Sequence, residues 1–272
     1  MKPDYNELLE IVSEMGFRLM LSGAEIYRVE ESISRLLQAY GAERGEVFAI
    51  PNCIIVSLTS PQGEPMTQIR RMPNHGTDIY LLERYNDLCR RLCRETPPFE
   101  VALDSMRQIE RTHKVYSLPV QLLAHFLGCG MFSLFYGGSV WDGICGGVCG
   151  MVICLCMAFT SKLGANLFFK TIAGAAVSAF VALALTAAGI GQNSDSIIIG
   201  ALMALVPGIA FTTIGALMIL VPGVLFTNAM RDIMAGDMVA GISKAAEALL
   251  IGAAIALGTA LALGLIRMLM GG

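Results

Sequence analysis

Charge is scarce in this sequence. Of 272 residues, 15% are Asp, Glu, Lys or Arg, while 55% are hydrophobic and the mean hydropathy is +0.63. A typical soluble domain carries about 25% charged residues, so the scarcity excludes an ordinary water-soluble enzyme. A chain this apolar, with a net charge of −3, is not disordered either. There is no basic run and the pI is about 5.7, which leaves no footprint for nucleic-acid phosphates. Histidine is rare, with three in all. No Ser/His/Asp set or phosphate loop accompanies them, and His75 and His113 read as surface residues. An apolar leader is missing too, because Asp4, Glu7, Glu10 and Glu14 occupy its place. The first part of the chain is therefore expected in the cytoplasm. Disulfides are not expected in that reducing compartment. Five of the eight cysteines lie in apolar segments. Cys89 and Cys93 have no further Cys or His near them in sequence, so they read as small buried side chains rather than as a metal site.

The few charges are unevenly placed. Residues 1–114 hold 31 of the 41 charged residues, and residues 115–272 hold 23 of the 29 glycines and the long uncharged stretches. This composition predicts two domains: an α+β cytoplasmic domain over 1–114 and an all-α polytopic membrane domain over 115–272.

In the first domain, Leu8, Ile11, Val12, Met15 and Leu19 mark one face of a helix over 4–21. Ser22 and Glu25 have the spacing of a capping box for a second helix, about Ala24 to Tyr40. Val47–Ile50, Cys53–Thr59 and Met66–Arg71 read as strands, with a Ser60-Pro61-Gln62-Gly63 turn between the last two. Thr77 is placed to cap a helix running to Arg94, and a last helix spans about Phe99 to Thr112. Glu25, Tyr27, Arg28, Glu30 and Glu31 crowd the start of the second helix. They form either a polar site that holds an anion at a helix N-terminus, or a solvated face whose glutamates complement the helix dipole.

Five segments of the second domain are apolar enough to cross a bilayer: about 118–136, 141–159, 167–190, 197–228 and 245–268. Arg107, Arg111, Lys114, Lys162, Lys170, Arg231 and Lys244 then fall on the cytoplasmic side, the outside loops hold Asp142 and Asp195 with no Lys or Arg, and of the basic residues only Arg267, near the C-terminus, lies outside. This positive-inside pattern puts the C-terminus outside. Gly143/Gly147 and Gly146/Gly150 have the spacing of helix-packing glycines, and Gly252, Ala256 and Ala260 make a similar small face on the fifth span. Of the intramembrane ionisable groups, His125 and Lys170 are candidates by default, although Lys170 is close enough to the boundary to snorkel.

The fourth segment is too long for a simple crossing, and Pro207-Gly208 and Pro222-Gly223 break it. Such a break either frees backbone groups for a ligand, as in transporters, or only kinks the helix. The segment is also an internal repeat. Residues 200–213 and 215–228 agree at ten of fourteen positions, which points to a local duplication.

The stretch Met20-Leu-Ser-Gly-Ala-Glu25-Ile-Tyr-Arg-Val-Glu30-Glu resembles the signature of the threonine/serine exporter family. Ile50-Pro-Asn-Cys-Ile-Ile-Val-Ser57, Ile69-Arg70-Arg71 and Trp141-Asp142-Gly143 resemble it too. So does Leu220-Val-Pro-Gly-Val-Leu-Phe-Thr-Asn228-Ala-Met-Arg-Asp232, with Gly236-Asp237 and Gly241. The likeness runs from about residue 8 to 265. It departs from the family at one point, where two Val-Pro-Gly breaks stand in place of one.

The resemblance implies a cytoplasmic domain, five membrane helices and export of threonine and serine; related two-subunit systems export dicarboxylates such as succinate. It also implies the first subunit of a split pair, working with a second, smaller membrane subunit in the cytoplasmic membrane. Expected substrate-binding residues are Asn228, Arg231 and Asp232, with Pro222 and Gly223 shaping the break and Asp142 at the outer end. Arg231 would meet a substrate carboxylate, and Asp232 an ammonium or a proton; alternatively both cap the cytoplasmic end of the span. Asp142 is alternatively a helix cap. Gly23, Glu25, Arg28 and Glu30 form the cytoplasmic-domain motif. No cofactor, metal or nucleic-acid partner is expected. Two other readings are a membrane-anchored hydrolase using Glu25, Arg28 and Glu30, and a scaffold or sensor without transport.

Overall fold

The computed structural model describes residues 5–42, 44–60, 62–72, 78–113, 116–205 and 223–269. They divide into two compact units. Residues 225–245 group with residues 1–114, and residues 115–224 group with 246–272. Part of the C-terminal half thus belongs with the charged N-terminal residues; by composition alone this unit is termed the soluble unit and the other the membrane unit.

The soluble unit follows the expected order. Helices α1 (Tyr5–Leu21) and α2 (Ile26–Ala39) precede β1 (Gly45–Ile50), β2 (Cys53–Thr59) and β3 (Pro65–Arg71), and α3 (Ile79–Glu95) and α4 (Phe99–Thr112) follow. The strands form an antiparallel sheet in the order β1-β2-β3. Side chains alternate between its faces: Ala49, Ile54, Val56 and Leu58 are buried under the helices, whereas Phe48 and Ile69 lie exposed on the other face. The predicted stripe of α1 (Leu8, Ile11, Val12, Met15 and Leu19) is wholly buried and meets Ile33, Leu36 and Leu37 of α2 in one core. Glu14 pairs with Arg18 at 2.6 Å and also with Arg70 of β3, and Arg18 reaches Glu110 of α4.

Three local expectations are corrected. No capping box forms between Ser22 and Glu25. Gly23, at φ +93°, closes α1, with the Ala24 N–H donating to the Leu19 carbonyl and the Gly23 N–H to the Met20 carbonyl. Ser22 therefore belongs to the end of α1 and donates its hydroxyl to the Arg18 carbonyl, while Glu25 itself takes the N-cap position of α2. Thr77 lies outside the described residues, and Asp78 caps α3 by accepting from the Leu81 N–H at 3.0 Å. His113, expected at the surface, pairs with Asp78 at 3.0 Å and is largely covered.

The membrane unit contains α5 (Leu118–Phe135), α6 (Val140–Lys162), α7 (Leu167–Ala187), α8 (Ser194–Leu202) with a 3-10 turn at Met203–Leu205, and most of α10 (Met238–Leu269). Helix α9 (Gly223–Met234) precedes α10. Helices α5, α6, α7 and α10 are long and apolar enough to cross a bilayer. Of the expected fourth span, 197–228, the start is α8 and its 3-10 turn and the end lies in α9. The Pro207-Gly208 break and Pro222 fall outside the described residues, and Gly223 opens α9.

Packing here depends on small residues. A Cβ on Gly147 would lie 2.7 Å from the Phe126 carbonyl oxygen, and one on Gly146 would lie 2.0 Å from the Ser133 hydroxyl. The α6 glycines thus let α5 approach almost backbone to backbone. On α10, among the described residues, the packing within the chain uses another face than the expected one. Gly252 has open space around it and Ala256 and Ala260 are exposed, whereas Ala254, Gly258 and Ala262 are buried. Gly258 lies against α7, where a Cβ would meet the Ile172 carbonyl oxygen at 2.4 Å. Small residues surround α10 on all sides, so their spacing alone selects no face.

Candidate functional site

The signature motif and the expected transport residues meet inside the soluble unit. Gly23 turns the chain so that Glu25 stands at the start of α2. One oxygen of its carboxylate forms an ion pair with Arg28, whose Nε–H donates to the Tyr27 hydroxyl, and the other accepts from Arg231 Nη1 of α9 at 2.9 Å. Glu25 is 13% exposed, whereas both arginines are more than half exposed. The carboxylate is thus held between two cations that still face water. One turn on, Glu30 accepts from the Ala49 N–H of β1 at 2.6 Å. Burial pushes the Glu30 carboxyl up, the Ala49 N–H partly offsets this, and the charge of Asp237 pushes it up further.

Helix α9 ends as α1 does. Gly236, at φ +100°, closes it, with the Asp237 N–H donating to the Asp232 carbonyl at 2.8 Å and the Gly236 N–H to the Ile233 carbonyl. The chain then enters α10, and Gly241 lies so close to α9 that a Cβ would meet the Ala229 carbonyl oxygen at 2.7 Å. This close approach sets Lys244 Nζ 2.7 Å from Asp232 Oδ2. Asp232 is completely buried and Lys244 is 8% exposed. Among the described residues, the other Asp232 oxygen, Oδ1, is buried without a hydrogen-bond partner, and so is Oδ2 of Asp237. Burial and the charge of Asp232 push the Asp237 carboxyl up, and Lys244 opposes them.

The expected site residues therefore separate. Glu25, Arg28, Glu30, Arg231 and Asp232 lie in the soluble unit with their partners, and Asn228 is half-buried on α9. Pro222 lies outside the described residues. Asp142 belongs to the membrane unit. There it forms the capping box of α6 with Ser139, and its Oδ1 accepts from the Gln192 and Asn193 N–H groups at 2.6 and 3.0 Å. At 1% exposure, with both oxygens engaged, Asp142 ties the start of α6 to the loop before α8. The sequence reading missed Lys244 as the partner of Asp232, having used it only as a cytoplasmic loop charge. The available signal was a lone lysine following an Asp232/Gly236-Asp237 turn in an otherwise apolar stretch.

A family model described as "ThrE, putative threonine/serine exporter" matches the chain over residues 10–213 and 212–266. The chain belongs to this family. The exporter family makes it a membrane transport protein, with threonine and serine as the family's cargo. The two matched stretches meet at residues 212–213, at the end of the first copy of the internal repeat. No curated protein and no solved structure matches this exporter.

Proposed function

We propose that this chain is one subunit of a secondary exporter of small polar metabolites, either threonine and serine or dicarboxylates such as succinate. The observation that carries the reading is the ion-paired link from the signature helix to α9, Glu25 to Arg231. It brings two separate family motifs together beside the buried Asp232–Lys244 pair. The soluble unit lies in the cytoplasm, in keeping with the lysines and arginines that flank the apolar helices. Asn228, Arg231 and Asp232 act on substrate, with Pro222 and Gly223 shaping the break before them. Arg231 exchanges Glu25 for a substrate carboxylate, since its guanidinium is 56% exposed. Cargo is to be identified by uptake into inverted vesicles with a panel of amino acids and dicarboxylates. Asp232→Asn abolishes uptake with the protein still inserted; full activity in that variant removes Asp232 from the mechanism.

The partner is a second, smaller membrane protein of the same family. The open face of α10 at Gly252, Ala256 and Ala260 supports this, because small residues let a helix of another chain approach closely. The two proteins are expected to co-purify in mild detergent, and this chain is expected to be inactive alone. Uptake by this chain reconstituted as the sole protein overturns the split-exporter reading.

A further inference from the structure

The sheet of the soluble unit is covered by helices on one side only. On its other side Phe48, Ile55 and Ile69 are direct cross-strand neighbours, one from each strand. Phe48 is 53% exposed and Ile69 is 63% exposed. Cross-strand neighbours of this kind make a continuous apolar stripe, and a sheet ordinarily buries such a face against a second layer. The row on one side of the stripe begins at Glu46 of β1, and the row on the other side ends at Arg71 of β3. The two charges thus stand at opposite corners of the patch, diagonal across Ile55. Both are exposed, and among the described residues neither has an ion-pair partner. The remaining outward positions of the three strands are uncharged.

We propose that this face docks a second copy of the chain, with Glu46 of each copy paired to Arg71 of the other. A symmetric pair needs a patch that complements itself. This patch does so, because its charges are opposite in sign and lie diagonally about an apolar centre. A two-fold axis through Ile55, at right angles to the line from Glu46 to Arg71, lays each charge on its counterpart. The two apolar stripes then cross at Ile55, with the strands at a steep angle as in orthogonally packed sheets. An anionic lipid surface is a poorer occupant, since it attracts clusters of Lys and Arg and the patch carries one charge of each sign. At ordinary strand spacings the face covers roughly 250 Å², well under the ~800 Å² per partner of a stable soluble complex. The contact therefore forms between chains that one membrane already holds at high local concentration. It is independent of the cargo and of the partner expected at α10.

The test is carbodiimide crosslinking of the full Arg71→Lys chain in its own membrane. The substitution keeps the positive charge and supplies an amine, which the reagent condenses with a carboxylate, without a spacer and with loss of water. Within one chain positions 46 and 71 lie roughly 16 Å apart at ordinary strand dimensions, too far for a direct amide. A link between them therefore arises only between two copies. The expected result is a covalent dimer whose linked peptides join Glu46 to the lysine introduced at position 71. Adding Glu46→Gln should remove that link. Adding Ile69→Asp should reduce the dimer by about tenfold, because it buries an unpaired charge beside the centre of the contact. Glu46 and Ile69 are both exposed in the single chain, so the fold should survive either change. The proposal is overturned by the absence of a dimer, by a dimer without the link between 46 and 71, or by a link from position 71 to a different membrane protein.

Discussion

The soluble and membrane units bury different chemistry. The soluble core is made of Leu8, Ile11, Met15, Ile33, Leu36 and Tyr85, whereas the buried residues of the membrane unit include Gly143, Gly147, Gly150, Ala175, Ala179, Ala182 and four cysteines. Water drives large apolar side chains together in the first unit. Lipid is as apolar as leucine, so the second unit gains by close backbone approach instead. Charge follows the same division. Buried Asp142 of the membrane unit meets backbone N–H groups and Ser139, whereas in the soluble unit buried Asp232 meets a lysine.

The comparison breaks most severely at that lysine. Lys244→Met leaves Asp232 buried and unpaired and should cost the soluble unit about 3–5 kcal/mol; pairing it with Asp232→Leu should restore much of the loss, as read by thermal unfolding. Ile33→Ala, a cavity in the large-side-chain core, should cost about 2–5 kcal/mol. Gly147→Ala should cost about 1–3 kcal/mol by overpacking α5 against α6, and hydrogen exchange should localise the damage to those two helices. A Cβ there meets a backbone carbonyl, which cannot move aside as a side-chain tip can.

A smaller effect separates the units by pH. Glu30 and Asp237 are pushed up in the folded chain, so the folded state holds protons that the unfolded state releases. Their contribution is fully present below the ordinary carboxyl range and is lost as pH rises through the raised values. Stability of the soluble unit, compared with Glu30→Gln, should therefore fall with rising pH in that window, and melting curves at stepped pH check it. The smallest effect belongs to Glu25 and Arg231. With Arg231 more than half exposed, the pair is worth about 0.2–1 kcal/mol. A double-mutant cycle should find a stability coupling in that range, which salt reduces.

Much of the soluble fold was legible in the sequence. Periodicity located α1, the strand expected over Cys53–Thr59 is β2, and the last helix expected over Phe99 to Thr112 is α4. The candidate site was only half legible. The sequence showed crowded charge at Glu25, Arg28 and Glu30, but the partner of Glu25 lies 206 residues away. The face of α10 that packs within the chain was not legible because Gly and Ala recur all round the helix, leaving no apolar period to select a side.

By itself the sequence determined the division between a charged α+β part and an apolar helical part, the helix-packing glycine face of α6, and the family. Each rests on composition or short-range spacing, which the chain carries wherever it folds. Only the tertiary structure decided that residues 225–245 belong with the soluble unit, and that Gly236 and Gly241 bring Lys244 back onto Asp232. Only it left Asp232 Oδ1 and Asp237 Oδ2 without donors among the described residues. Burial and partnering are properties of the packed neighbourhood, because the cost of a charge depends on what excludes water from it and on what lies within hydrogen-bond reach.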